Sequence, residues 1–100
     1  MMAESAEIER ITRKIVDANT MTNAVVSVRS RPAVDWTGDP VIRISIVVRP
    51  EAEMTLTGET PLNILTNISD ELMRIGDDRF PILDYATTAD MEAADDDPES

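Results

Sequence analysis

Arginines at alternating positions are the feature of this sequence that most suggests binding chemistry. The chain has nine basic residues, and four of them fall in two segments rich in β-branched residues: Arg29, Arg31, Arg43 and Arg49. Alternate residues of a strand point to the same face of a sheet, so the four guanidinium groups are expected on one face. This pattern has two interpretations. The face docks an acidic protein segment or a small anion, or nearby acids neutralise it: Asp35, Asp39, Glu51, Glu53 and the acidic C-terminal segment.

The only tryptophan, Trp36, lies among turn-forming residues in the segment Asp35-Trp-Thr-Gly-Asp-Pro40. A tryptophan on a loop can anchor a partner, because it offers a large contact area at a small entropic cost. Alternatively, Trp36 folds over the end of the core. Asp35 and Asp39 supply too few oxygen ligands for a calcium loop, so no metal site is expected.

Several kinds of chemistry are excluded because the chain has no cysteine and no histidine. Disulfides, thiolate or imidazole metal sites, and nucleophiles or general bases of these types are all ruled out. The neighbouring acids Asp77 and Asp78 are expected to be solvated loop residues rather than a buried acid–base pair. The sequence also has no glycine-rich phosphate loop and no nucleophile elbow. No cofactor is expected, and an enzymatic role would require Asp, Glu, Arg or Tyr85.

The net charge of −11 bears on partners and location. It opposes binding to nucleic acids and to anionic membrane surfaces, which require clustered Lys and Arg. No apolar run approaches the roughly 20 residues that span a bilayer. The first residues lack the basic and apolar regions of a secretory signal. These observations lead us to expect a cytoplasmic protein with no membrane or nucleic-acid partner.

Hydrophobic periodicity predicts two helices. The first covers residues 5–19, with Ser5 as N-cap and an apolar stripe formed by Ile8, Ile11, Ile15 and Ala18. The second begins at Thr60-Pro61 and ends near Ile75, before Gly76, with a stripe formed by Leu62, Leu65, Ile68, Leu72 and Ile75. The polar segment 50–58, between the predicted strand over 41–49 and the second helix, is expected to be flexible.

Period-two alternation predicts strands over 24–31 and 41–49, and a third strand over 80–87. Ala24, Val26 and Val28 are expected to face the core in the first strand. The four aliphatic residues that face the core in the second are Ile42, Ile44, Ile46 and Val48. In the third strand, Pro81 indicates a sheet edge, and Phe80 is expected to plug the core.

The element order predicts an α+β fold, a two-layer αββαβ sandwich with a small, mostly antiparallel sheet and two helices on one face. A right-handed crossover through the second helix would place the third strand parallel to the second, with the first strand as a further pairing option. We divide the chain into a flexible N-terminus (1–4), one α+β domain (5–89) and an acidic disordered tail (90–100).

Two resemblances bear on function. The blocks Asp35-Trp-Thr-Gly-Asp-Pro40, Val41 to Val48 and Asp78-Arg-Phe-Pro81 resemble a group of small bacterial proteins of unassigned function, which implies a bacterial αββαβ domain and no site residues. The element order also resembles part of a type II KH domain. However, the Gly-x-x-Gly loop on which that family depends does not occur here, which argues against nucleic-acid binding.

Together, these patterns predict a non-enzymatic protein–protein interaction or regulatory module. Its partner-binding residues would be the four arginines and Trp36, and a homodimer is one form of the expected protein partner. The alternatives are a module that binds an anionic small molecule on the arginine face, or an accessory subunit of an enzyme.

Overall fold

A computed structural model describes residues 3–90, which form a three-stranded sheet with two long helices on one face. The elements in chain order are α1 (Ser5–Asn19), β1 (Val25–Val34), β2 (Pro40–Val48), α2 (Pro50–Glu53), α3 (Thr60–Arg74) and β3 (Phe80–Thr87). α1 packs on β1, α3 packs on β3, and the two helices contact each other. The predicted α+β fold is confirmed.

β2 is the central strand of the sheet, antiparallel to β1 on one side and parallel to β3 on the other. The sheet is therefore mixed, with one antiparallel and one parallel pair. Pairing of the third strand with the first, which the sequence left open, does not occur. β3 lies beside β2 and forms an edge of the sheet, as Pro81 indicated.

Three polar side chains of α1 bond to the backbone at the outer edge of β1, at Val25 and Ser30. Glu9 accepts a hydrogen bond from the Ser30 amide at 3.1 Å, and Asp17 accepts one from the Val25 amide at 3.2 Å. Arg13 donates to the Val25 carbonyl at 2.9 Å. Because the Val25 and Ser30 backbone groups are bonded to the helix, pairing of a further strand with the first half of β1 is hindered.

The core lies between the sheet and the two long helices. The predicted alternation in β2 is confirmed, because Ile42, Ile44, Ile46 and Val48 are all at most 1% exposed. They meet a buried line on α3 and the inner side of α1: Ile64, Ile68, Leu72, Ile8 and Val16. Each such side chain contributes about 1.5–3 kcal/mol on burial.

Both helices are rotated relative to the predicted stripes. In α3, Ile64 is fully buried while Leu62 is 63% exposed, and Leu65 is half-buried. In α1, Val16 is fully buried and Ile15 is half-buried. Each helix has apolar residues around more than one stripe, so packing against the sheet and the other helix selects the buried side.

A β-bulge changes the inward face of β1. The register shifts between Val25 and Ser27, so Val25 and Val28 are both buried. The prediction that Val26 faces the core was wrong, since this side chain is 46% exposed. An extra residue in one strand shifts the alternation of buried and exposed side chains by one position. The residues on either side of this bulge carry no sequence pattern that predicts it.

Two further local features differ from the sequence predictions. The segment after β2 contains the short helix α2, in which Ala52 is fully buried. Ser5 and Thr60 are the first helical residues rather than caps; Glu4 and Glu59 occupy the N-cap positions without a side-chain capping bond. Pro50 and Pro61 both lie at the start of their helices, where a missing amide proton costs nothing.

Parts of the predicted domain division fall outside the described residues. This holds for residues 1–2 of the predicted flexible N-terminus and for residues 91–100 of the predicted disordered tail. Ala3 is hydrogen-bonded through both its amide and its carbonyl, to Asp77 and Arg79. Within residues 3–90, no helix combines the length and the apolar character needed to cross a membrane.

Candidate functional site

The face of the sheet opposite the long helices, here called the open face, carries most of the predicted site residues. The strand registers arrange its side chains in successive rows across β1, β2 and β3: Ala33–Val41–Phe80, Arg31–Arg43–Ile82, Arg29–Ser45–Asp84 and Ser27–Val47–Ala86. Two rows are therefore apolar or nearly so, and the two between them hold three arginines. The alternation seen in the sequence does place these three guanidinium groups on one face.

Arg29, Arg31 and Arg43 form what we call the arginine cluster. Arg31 lies directly opposite Arg43 across the antiparallel β1–β2 pair. Like charges in this position are destabilising, by about 0.2–1 kcal/mol on the usual scale of cross-strand pairs. Arg43 is partly compensated by Asp84 on β3, with 3.4 Å between its Nη2 and the Asp84 Oδ2. Arg29 and Arg31 are exposed, and neither forms an ion pair with any residue of the described chain.

Arg49 does not belong to the arginine cluster. It lies just beyond the end of β2, at the N-cap of α2. Its Nη2 and Nε donate to one Glu51 oxygen at 2.8 and 3.1 Å. Internal neutralisation, one of the two interpretations drawn from the sequence, thus applies to Arg49, whose acid is two residues away.

An exposed aromatic ring borders the arginine cluster on its apolar side. Phe80 is in register with Val41 and is 56% exposed. The prediction that Phe80 plugs the core was wrong, because strand alternation gives the inward position to Pro81, which is buried. Val41 itself is only 3% exposed, flanked by Ala33 and Phe80 in the same row.

Trp36 projects from a tightly bonded hairpin loop between β1 and β2. The Asp35 Oδ1 accepts hydrogen bonds from the Thr37 amide at 2.9 Å, the Thr37 hydroxyl at 2.6 Å and the Asp39 amide at 2.9 Å. The bond from the Thr37 hydroxyl is the main reason that the pKa of Asp35 is lowered. Gly38 adopts a positive φ of 88°, which favours glycine.

This loop leaves the Trp36 side chain 95% exposed. The interpretation in which Trp36 covers the end of the core is therefore wrong. The loop follows directly from the strand ends that flank the Ala33–Val41–Phe80 row. Trp36, the apolar row and the arginine cluster thus succeed one another along the direction of the strands.

The acids Asp77 and Asp78 differ in a way that the sequence does not reveal. Asp77 is 1% exposed and binds Arg79, itself 9% exposed, through contacts of 2.7 and 3.0 Å. Hydrogen bonding from the Arg79 side chain lowers the pKa of Asp77 to about 2. The expectation that both acids are solvated was wrong for Asp77. Since both Asp77 oxygens are bonded within the chain, this pair is structural.

Acidic groups and Tyr85 are the remaining side chains of the described chain that the sequence raised as candidates for chemistry. No group of three or more acidic side chains within residues 3–90 is arranged to hold a metal ion. Tyr85 lies in an apolar cleft of about 450 Å³ between α3 and β3. Burial raises the pKa of Tyr85 to about 12, so its hydroxyl is protonated at neutral pH.

Comparison of the chain with protein-family models, with curated proteins and with solved structures found no match. The resemblance of the blocks at 35–40 and 78–81 to small bacterial proteins therefore stays a prediction.

Proposed function

We propose that this protein is a non-enzymatic interaction module whose open face docks an acidic segment of another protein. The observation that carries the proposal is the arginine cluster. Arg29 and Arg31 are exposed without an ion-pair partner in the described chain, and Arg31 faces Arg43. A bound carboxylate would relieve the repulsion between these like charges, and guanidinium groups bind carboxylates through paired hydrogen bonds.

The surroundings of the arginine cluster favour a polypeptide partner. Phe80 and Trp36 are both more than half exposed, and they lie beyond the cluster on the hairpin side. Tryptophan and arginine are the residue types that most often dominate binding energy at protein interfaces. A segment with acidic residues followed by apolar ones matches the order of these groups along the sheet.

The net charge of −11 limits the kind of partner. A protein that is acidic throughout would be repelled before contact, as would the phosphate backbone of a nucleic acid. The proposed partner therefore carries a short acidic segment on an otherwise neutral or basic body. The arginine cluster on the open face would bind this segment through short-range contacts.

Charge reversal in the arginine cluster tests the proposal. The double variant Arg29→Glu/Arg43→Glu and the wild-type chain are used for affinity purification from the native host. A matched control is Arg10→Glu/Arg74→Glu, which changes the net charge equally at two exposed positions on the helices. We expect one protein to be recovered with the wild-type and control chains and lost with the cluster variant. Its retention by a folded cluster variant would overturn the proposal.

Binding of an anionic small molecule is a second candidate function, favoured by the direct pairing of Arg31 with Arg43. Opposed residues of antiparallel strands have Cα atoms about 4.5–5.5 Å apart, so both guanidinium groups can reach one dicarboxylate or phosphate. A ligand that binds only the folded chain raises its Tm. Citrate or phosphate should then raise the Tm of the wild-type chain and not that of Arg31→Gln/Arg43→Gln.

A further inference from the structure

We propose that residues 91–100 of the same chain dock on the arginine cluster and occupy the open face until an acidic partner segment displaces them. This would make the C-terminal segment a built-in competitor. The regulatory role rests on the proposed function, whereas the contact within the chain does not depend on it.

Charge complementarity is the first support. The segment contains five acids and no base: Glu92, Asp95, Asp96, Asp97 and Glu99. Most of the other basic side chains already lie beside an acid, in the pairs Arg10–Glu7, Arg49–Glu51, Arg74–Glu71 and Arg79–Asp77. Arg29 and Arg31 have no such acid within residues 3–90, and these two cations share a face with Arg43.

The point at which the chain leaves the sheet is the second support. Thr87 ends β3, and residues 88–90 begin a helix whose first turn is fixed by two reciprocal hydrogen bonds. The Thr87 amide donates to the Asp90 Oδ2 at 3.2 Å, and the Asp90 amide donates to the Thr87 Oγ1 at 3.0 Å. This arrangement resembles a capping box, with Asp in the place of Glu or Gln. The segment 91–100 therefore starts from a defined position at one end of the edge strand.

The length of the segment is the third support. Arg29 lies level with Asp84, and Arg31 and Arg43 lie level with Ile82. At about 3.3 Å per residue and 4.8 Å between strands, the three arginines are roughly 14–19 Å from the Cα of Thr87. An extended chain of ten residues spans up to about 33 Å. In an extended chain the run 95–97 would lie up to about 17–23 Å from Asp90, which is long enough to span the distance to the arginine cluster.

The sequence provides a direct probe of this contact. Trp36 is the only tryptophan, and the chain has no cysteine. A Ser100→Cys substitution therefore gives one labelling site for a dye that accepts energy from tryptophan. Trp36 lies beyond the end of the open face opposite to Thr87. A segment docked along the face carries residue 100 towards Trp36.

The first experiment measures energy transfer in the labelled full chain. We expect efficient transfer from Trp36 at low salt and a clear loss at about 1 M NaCl, where the screening length falls to about 3 Å. The triple variant Arg29→Gln/Arg31→Gln/Arg43→Gln should show the same loss at low salt. A control with an equal charge change on the helices, Arg10→Gln/Lys14→Gln/Arg74→Gln, should keep the transfer. Equal transfer in both triple variants would overturn the proposed contact.

A second experiment separates the contact from the proposed function. The probe is a fluorescein-labelled peptide of ten glutamates, titrated with the full chain and with a full-length variant whose five tail acids are changed to Asn or Gln. We expect severalfold tighter binding to the variant, because its open face is not occupied. Equal binding to both chains would overturn the competitor role and leave the docking function standing. Binding to neither, with energy transfer intact, would instead overturn the docking function and leave the contact standing.

Discussion

At the scale of single residues, the pair formed by Asp77 and Arg79 is the most deeply buried of the ion pairs within residues 3–90. Arg79 Nη2 also donates to the Ala3 carbonyl at 3.3 Å, and the Ala3 amide donates to the Asp77 Oδ2 at 3.0 Å. The pair therefore fastens the segment before α1 to the loop before β3. Each buried charge is stabilised by its hydrogen bonds to the other. Removing one partner therefore lowers the free energy of unfolding far more than removing an exposed ion pair does.

The first prediction concerns Asp77→Asn. The substitution leaves the buried Arg79 guanidinium without its counter-charge, and we expect the free energy of unfolding to fall by about 3–5 kcal/mol. Urea unfolding followed by circular dichroism measures this. Glu71→Gln is the control, since it removes an exposed pair with Arg74 and should change stability by at most about 1 kcal/mol. A loss at Asp77 no larger than at Glu71 would contradict a structural role for the buried pair.

The second prediction concerns pH. The pKa of Asp77 is lowered from 3.8 to about 2 in the folded chain, so the unfolded chain takes up this proton first as the pH falls. The stability due to Asp77 is then complete above about pH 4 and is lost as the pH falls to about 2. The shift corresponds to about 2 kcal/mol. Urea midpoints at pH 5 and pH 2.5 should therefore differ more for the wild-type chain than for Asp77→Asn. Parallel pH profiles for the two chains would refute this assignment.

At the scale of the elements, the positions of the two long helices and the three strands follow from the sequence, but the short helix α2, the rotation of the long helices and the strand pairing do not. The aliphatic face of β2 was predictable because alternation in a central strand admits one inward set. The burial of Ile64 in place of Leu62 was not predictable, because the apolar residues of α3 cover about half of the helix surface and several orientations would bury some of them. The bulge after Val25 and the pairing of β3 with β2 depend on contacts between segments far apart in sequence.

In the candidate site, too, some features could be predicted from the sequence and others depend on contacts between distant segments. Period-two alternation was enough to place Arg29, Arg31 and Arg43 on one face. It could not show that Asp84 compensates Arg43, because this depends on the β2–β3 register. It also could not choose between the two interpretations of Trp36, whose exposure is set by hydrogen bonds within the Asp35 loop.

The third prediction tests the rotation of α3. Ile68→Ala removes a fully buried side chain and should lower the free energy of unfolding by about 2–5 kcal/mol. Leu62→Ala, on the same helix, should stay within about 0.5 kcal/mol of the wild-type value, since Leu62 is largely exposed. Urea denaturation of both variants gives the comparison. Similar losses for the two would show that Leu62 belongs to the core, as the predicted stripe had it.

At the scale of the whole molecule, the dominant property is the excess of acids, 20 against nine basic residues. A net charge this far from zero destabilises a compact chain through self-repulsion. The exposed ion pairs on the surface offset little of this, because such pairs contribute about 0–1 kcal/mol each.

The fourth prediction follows from this repulsion. Raising NaCl from 0.01 to 0.5 M at pH 7 should shift the urea midpoint upward, because screening relieves repulsion among the acids more than it weakens the few surface pairs. The control is the same salt change at pH 3.5, where many carboxylates are protonated and the shift should be smaller. A downward shift at pH 7 would mean that attractive surface pairs outweigh the repulsion.

The bonding of α1 to the outer edge of β1 has a consequence for assembly. A sheet with two free edges can add strands at both sides and grow without limit into a fibre. In this molecule, Glu9, Arg13 and Asp17 bond to the Val25 and Ser30 backbone and so hinder strand addition along the first half of β1, which favours β3 as the edge for a further strand. When two copies pair through β3, the β3 edge of each copy is occupied by the other. We therefore expect edge-to-edge association of the folded chain to favour pairs joined through β3 over longer assemblies.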